Sequence, residues 1–308
     1  MADPFNGNTC TLEMALNCAI AKTMTETKTS QRVAKLIAAS GLCSRRDAEA
    51  WIADGRVTLD GAVLTSPAVA IENPKRLAVD GDPLPNPSEV RVFRFYKPTG
   101  ALVTDKDPLG RKTIYDLLPG VDAYGDPLPR LMAVGRLDIN SEGLLLLTTS
   151  AVLKRKLEDP SNAYPRTYRV RVYGQIRSKA LAALADGVEI QGVRYGPILA
   201  DLEQEKSHGA NRWIRFQLTE GKNREIRRVC EHLGLEVSRL IRIAYGDAKS
   251  AGLRPGELKE VSKSRLHPMF GVGVERKGSW ARAKPNQKRV GIGARGGTHR
   301  RHGVKGKQ

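Results

Sequence analysis

The sequence predicts an α+β protein: a small module of two helices and a hairpin, then a larger domain on a mixed, mainly antiparallel sheet. Three observations predict it. The chain has 308 residues, enough for two domains of about 150 each. Strand-like runs outnumber helical ones and do not alternate strictly with them, which favours a mixed α+β fold over a doubly wound sheet. Finally, Pro83, Pro85 and Pro87 read as a short stiff linker that sets a compact N-terminal segment apart.

Taken in order, residues 1–28 are polar and patternless and are expected to form a disordered tail, with Met14 and Met24 as alternative starts. Val33, Leu36 and Ile37 share a helical face that Gly41 ends. Ser44-Arg45-Arg46-Asp47 has the form of a capping box. The helix it opens turns Ala48, Trp51 and Ile52 inward and closes at Gly55. Val57, Leu59, the Asp60-Gly61 turn and Val63 follow as a hairpin. The module thus covers 29–82, with Lys35, Arg45, Arg46 and Arg56 on its surface, and the linker 83–89. The larger domain spans 90–264, with strands expected at 90–96, 144–148, 167–173, 212–218 and 237–244 and helices at 151–157, 178–185 and 224–233. Residues 266–308 hold eleven Lys or Arg, nine Gly and one acid, Glu275. With few apolar residues to bury, 265–308 is expected to be a disordered polycationic tail. Its G-x-G-x-x-G at 291–296 is accidental, since no strand precedes it and no helix follows.

Charge narrows the function. Fifty-one Lys and Arg against 33 Asp and Glu leave a net +18, and such a surface attracts polyanions, nucleic acid first. An anionic membrane is the weaker candidate. The best apolar run, 144–147, is four residues long, where a span needs about 18. No signal peptide is evident at the N-terminus. Cys10, Cys18, Cys43 and Cys230 are scattered with no C-x-x-C pair, so neither a zinc site nor a disulfide framework is expected, and a reducing cytoplasm is.

The most specific stretch is Gly135-Arg136-Leu137-Asp138-Ile139-Asn140-Ser141-Glu142-Gly143-Leu144-Leu145. Read from spacing alone, Asp138 caps a polar turn, Arg136 is solvated, and Glu142 is a turn residue. Further motifs follow a fixed order: Tyr96-Lys97-Pro98 with the loop Asp107-Pro108-Leu109-Gly110-Arg111, then Arg166-Thr167-Tyr168-Arg169-Val170. After these come Leu218-Thr219-Glu220-Gly221-Lys222-Asn223-Arg224-Glu225-Ile226-Arg227-Arg228 and Val237-Ser238-Arg239-Leu240-Ile241-Arg242. Together, over about residues 30–262, they resemble the S4-domain ribosomal RNA pseudouridine synthases, and the N-terminal module resembles the S4 RNA-binding domain of that family.

The resemblance implies an isomerase that breaks the N1–C1′ bond of a uridine, turns the base and joins C5 to C1′. No atoms are gained and no redox change occurs, so it implies no metal and no cofactor. Asp138 matches the family's catalytic aspartate, able to act as nucleophile or base. Arg227 matches the arginine that pairs with it, and a bidentate guanidinium would hold both charge and orientation. Tyr168 matches the tyrosine that stacks on the target base. Without the resemblance, Arg227 reads as a solvated helix charge and Tyr168 as a strand packer.

A uridine in folded RNA must leave its stack to react. Arg136 is placed as a wedge or phosphate contact, and Lys97 and Arg111 are expected to line the same cleft. Lys35, Arg45, Arg46, Lys222 and Arg224 are expected to meet RNA, largely through phosphates. Two arginines in the first turn of a helix face its positive end, a small cost that favours a polyanion nearby. The implied substrate is large-subunit (23S) ribosomal RNA, as a folded precursor or assembly intermediate, met by a monomer. Two alternatives stay open at this point: a non-catalytic RNA-binding or ribosome-assembly factor, and a sister activity on 16S ribosomal RNA or transfer RNA.

Overall fold

The computed structural model describes residues 30–85, 89–203 and 211–272. The expected N-terminal tail, and the polycationic tail beyond residue 272, lie outside the described residues.

The small module contains β1 (Gln31–Arg32), α1 (Val33–Ala39), α2 (Arg45–Ala53), β2 (Val57–Leu59), β3 (Ala62–Val63), β4 (Ala70–Ile71), β5 (Leu77–Val79) and β6 (Asp82–Pro83). The capping box forms as expected. Ser44 Oγ accepts the Asp47 amide at 3.1 Å and the Asp47 carboxylate accepts the Ser44 amide at 3.3 Å. Val33, Ile37, Ala48, Ile52, Val57 and Leu77 make the core, and Arg56 lies over the Trp51 ring at 4.7 Å. Pro83 does not belong to a linker. It pairs with Ala78 in a second hairpin, turned at Asp80-Gly81 with the same left-handed geometry as Asp60-Gly61. As a terminal strand residue, Pro83 leaves no ladder position in want of its missing N–H.

The larger domain is built on a nine-stranded sheet with main path β13-β14-β10-β15-β9-β7-β17. Its strands are β7 (Val92–Lys97), β8 (Met132–Val134), β9 (Glu142–Thr148), β10 (Arg166–Tyr173), β13 (Leu199–Leu202), β14 (Asn211–Leu218), β15 (Glu236–Tyr245), β16 (Ala248–Lys249) and β17 (Leu258–Glu260). A separate hairpin joins β11 (Val188–Ile190) to β12 (Val193–Tyr195). All pairings in the sheet are antiparallel except β9 with β15. The helices are α3 (Ala151–Glu158), α4 (Ser178–Ala183), α5 (Glu225–His232) and α6 (Lys263–Phe270). None is long and apolar enough to cross a membrane.

The run of leucines in β9 is continuous because that strand is covered on both faces. Leu144 and Leu146 point into a cluster with Tyr245, Leu153 and Leu157 of α3, and Leu266, Met269 and Phe270 of α6. Leu145 and Leu147 point the other way, against Phe93, Phe95, Ala101 and Ile114. Each of the four is fully buried, which stabilises by roughly 2 kcal/mol per side chain. Helix α6 corrects the expected tail boundary. Residues 265–270 carry apolar side chains at i, i+3 and i+4 and seal the α3 side, with Lys156 Nζ donating to the Phe270 carbonyl at 2.9 Å.

Alternation along β10 and β14 buries Tyr168, Val170, Val172, Ile214, Phe216 and Leu218 under α4 and α5. Through the Gly143–Arg242 pairing, this cluster and the Phe93 cluster share one face of the sheet. Val103 packs against both clusters, so a seam runs between them.

Candidate active site

The seam is where the chain must leave the sheet. β9 pairs with β8 through Leu146, Leu147 and Thr148, and on the same edge with β15 through Glu142 and Gly143. Residues 135–141 therefore step out between β8 and β9 to let β15 in. Gly143 has φ +103, and an added Cβ there would lie 2.8 Å from the Arg242 amide nitrogen. Only glycine permits that approach.

The loop is held from beneath by Lys97, which is fully buried at the end of β7. Its ammonium reaches the carbonyls of Pro98, Asp138, Ile139 and Ser141 at 3.0, 3.1, 3.4 and 2.8 Å. Burial pulls Lys97 down to about 8, with Asp138 and Glu142 opposing the change. The sequence reading placed Lys97 in the cleft as an RNA contact. The structure puts it behind the loop, with no surface to offer. Gly100 adds an amide donated to the Ile139 carbonyl at 2.8 Å, and Ser141 donates its amide to the Asp138 carbonyl at 3.0 Å.

So held, Leu137 faces the core while Asp138 is half-buried, its side chain 33% exposed. Arg136 extends into solvent two residues earlier, with no ion pair among the described residues. Tyr168 is brought beside this loop: it packs in one cluster with Leu137 and pairs in register with Arg242, the neighbour of Gly143.

Two guanidiniums approach from the far side. Arg224 Nη1 lies 3.7 Å from Asp138 Oδ2, and Arg227 Nη2 donates to the Asn140 carbonyl at 2.9 Å. The expected bidentate Arg227–Asp138 pair is not formed, because Arg227 is engaged with the loop's main chain and Arg224 holds the position facing the carboxylate. Arg224 reaches it from the left-handed region (φ +48), immediately before α5 begins. Arg227 Nε is buried with no hydrogen-bond partner. Burial, and then Arg224, lower the Arg227 value, while Asp138 raises it.

Sequence reasoning missed the supports. Glu142 is not a turn residue but a buried strand position. It accepts Arg239 Nε at 2.5 Å and Nη2 at 3.1 Å, and the Tyr96 hydroxyl at 3.1 Å. The Arg239 hydrogen bonds hold it below the usual carboxylate range. Arg242, 2% exposed, donates Nε to the Leu144 carbonyl at 2.7 Å and packs over the Tyr245 ring. Alternation along β15 assigns Arg242 to the buried face, and that was the available signal.

The remaining candidates lie apart from the loop. Arg45 and Arg46 are exposed on α2, and Lys35 is half-buried on α1. Arg111 is engaged with Asp107, donating Nε at 3.0 Å and Nη2 at 2.8 Å, so it closes its own turn. Lys222 is tied to the Glu220 carboxylate and to the Arg194 carbonyl, the latter at 2.8 Å. A groove of about 480 Å³, lined by Asp47, Lys106, Tyr115, Leu128 and Arg130 among others, contains none of the candidate residues.

Comparison with known proteins agrees with this geometry. Residues 91–232 match the RNA pseudouridylate synthase family and residues 31–72 the S4 domain. The chain is 45% identical over 233 residues to an uncharacterized RNA pseudouridine synthase of Rickettsia bellii, covering 76% of this chain and 97% of that one. It is 39% identical over 250 residues to the ribosomal large subunit pseudouridine synthase B of Salmonella typhimurium, covering 79% and 83%. The crystal structure of a pseudouridylate synthase aligns with a TM-score of 0.53 at 25% identity, over 78% of this chain and 100% of the other.

Proposed function

The chain belongs to the RNA pseudouridine synthase family, and from that membership we propose that this enzyme converts a uridine of large-subunit ribosomal RNA to pseudouridine, with Asp138 as its catalytic carboxylate. One observation carries the assignment of the residue. Asp138 stands half-exposed at the seam, on a loop fixed from behind by Lys97 and faced by Arg224. Such an arrangement offers a positioned carboxylate to a substrate, with a guanidinium facing it. The carboxylate meets the ribose and base of an extruded uridine, the N1–C1′ bond breaks and the C5–C1′ bond forms. The C5 proton leaves and N1 regains one, so the atoms balance. Tyr168 supports the base from within the seam, and Arg136 occupies the place in the stack that the flipped nucleotide leaves.

Large-subunit RNA is preferred over 16S or transfer RNA because of the Salmonella typhimurium relative and its name. Arg45, Arg46 and Lys35 of the S4 domain supply phosphate contacts.

Asp138→Asn keeps the shape and removes the charge. It is expected to lower pseudouridine formation by more than about a thousandfold, the scale of losing an acid–base or nucleophilic group, with RNA affinity nearly intact. Mapping pseudouridines in ribosomal RNA from cells with and without the gene identifies the target. A full set of large-subunit pseudouridines without the gene, or full activity in Asp138→Asn, overturns the proposal.

A further inference from the structure

We propose that Glu225 and Glu220 form a carboxyl–carboxylate pair sharing one proton, and that this pair positions Arg224 and Arg227 against the Asp138 loop. The inference rests on the reading of Asp138 as the reacting carboxylate.

Glu225 opens α5 and is 4% exposed. Its Oε2 accepts the Lys222 amide at 2.9 Å, while its Oε1 is buried with no donor. Glu220 converges on the same residue: Lys222 donates its amide to Glu225 and its ammonium to the Glu220 carboxylate. Glu220 Oε1 accepts the Gly196 amide at 2.6 Å, and Oε2 accepts the Lys222 ammonium. No N–H reaches Glu225 Oε1.

A carboxylate as buried as that of Glu225, with a second one beside it, does not ionise at ordinary cost. One proton resolves the problem: it gives Glu225 an O–H to donate and Glu220 an oxygen to accept it. The charges around the pair support this placement. Burial and the Glu220 carboxylate push Glu225 up to about 7. Burial works against Glu220 as well, but the Lys222 ammonium and the Gly196 amide hold it low. The groups facing the pair are Lys222 on its own loop and Tyr195 on β12, whose ring lies 5.6 Å from Lys222 Nζ. Arg228 on α5 donates to the Tyr195 hydroxyl at 3.4 Å, and Arg166 on β10 lies against Gly221.

The pair acts through the turn it holds. Glu225 fixes the Lys222 amide, the Glu225 amide returns to the Lys222 carbonyl at 3.3 Å, and Arg224 sits between them in its left-handed conformation. Arg166 secures the other end by donating to the Thr219 carbonyl. The folded value of Glu225 lies above its unfolded one. The stability it contributes is therefore complete below about 4.5, and it is lost as pH rises through about 7. Above that pH both groups are charged, the 220–225 turn loosens, and Arg224 and Arg227 lose their aim. Glu225 is a positioning residue and touches no substrate.

The test uses the full chain. Carbon-13 NMR of labelled glutamates is expected to show one carboxyl titrating near pH 7, absent in Glu225→Gln. Single-turnover conversion of an unmodified 23S RNA transcript, at saturating enzyme, is expected to fall about tenfold from about pH 6.5 to about pH 8.5. Glu225→Gln, whose amide N–H stands in for the shared proton, removes that inflection. Glu225→Ala lowers the rate at every pH, in the chemical step and not in RNA affinity at fixed salt. Should Glu225→Gln fail to fold, Glu220→Gln is expected to bring the Glu225 titration down and remove the same inflection. No glutamate titrating above about pH 6, or an inflection unchanged in both Gln variants, overturns the pair. A titration near 7 with no conversion of the transcript at any pH instead overturns the reading of the target and leaves the pair standing.

Discussion

Two loops meet at the candidate site, and they are anchored by opposite charges. Loop 135–141 hangs from a buried ammonium, which gathers carbonyl oxygens. Loop 219–224 hangs from the carboxyls of Glu220 and buried Glu225, which gather amide N–H groups. What each loop displays has the opposite sign to its anchor: Asp138 above Lys97, and Arg224 beside the Glu220–Glu225 pair. The displayed groups then face one another across 3.7 Å. An anchor whose charge is opposite to that of the displayed group fixes the loop's main chain and lies where it attracts that group.

Removing the first anchor is expected to have the largest effect. Lys97→Met keeps the length of the side chain and removes the ammonium that gathers the carbonyls of Asp138, Ile139 and Ser141, the first two of which keep only the Ser141 and Gly100 amides. An unsatisfied buried acceptor costs about 1–3 kcal/mol, so a loss of roughly 3 kcal/mol by chemical denaturation, together with loss of pseudouridine formation, is expected. A variant within about 1 kcal/mol of the wild type and fully active would break the comparison. Because Lys97 is pulled down to about 8, its third donor is lost above that pH.

The two arginines sharpen the comparison, because only one of them already meets the carboxylate. Arg227 keeps a buried Nε without a partner, an arrangement that costs stability in the free protein. Arg227→Lys is expected to leave the melting temperature level or slightly raised while slowing single-turnover conversion by about a hundredfold, the effect of removing one preorganised donor. A large loss of stability would show Arg227 to be a support of the fold.

Much of this was legible in the sequence, and the gaps have physical reasons. Strands β10, β14 and β15 were evident from length and alternation, and the motif around Asp138 pointed to the seam. Strands of two to four residues such as β8, β16 and β17 carry too few alternations to register. Asp80-Gly81 repeats the signal of Asp60-Gly61, yet the prolines that follow masked it as a linker. Helix α6 was absorbed into the tail because the charge beyond it outweighed Leu266, Met269 and Phe270. Lys97 was misplaced because composition cannot tell a lysine reaching outward from one folded under a loop. Glu220 and Glu225 carry no role in the sequence reading of the 218–228 motif, since spacing does not show that both side chains fold back onto Lys222.

The smallest expected effect concerns a region that has no such anchor. Arg45 and Arg46 occupy the first turn of α2, are exposed, and pair with no carboxylate among the described residues. Cations there face the positive end of the helix, so replacing both with alanine is expected to raise the stability of the S4 domain by roughly 0.3–1 kcal/mol. The same change removes phosphate contacts. RNA affinity is expected to fall, and the slope of log affinity against log salt to become shallower by about 1.5, close to two lost contacts. A more stable protein with weaker, less salt-sensitive binding is a combination that a purely structural role for these arginines cannot produce. An unchanged salt slope would place the RNA on another face of the domain and leave the cost of the two charges unexplained. The contrast with Asp138 and Arg224 would then rest on the seam alone, where each charge has its opposite built in beneath it.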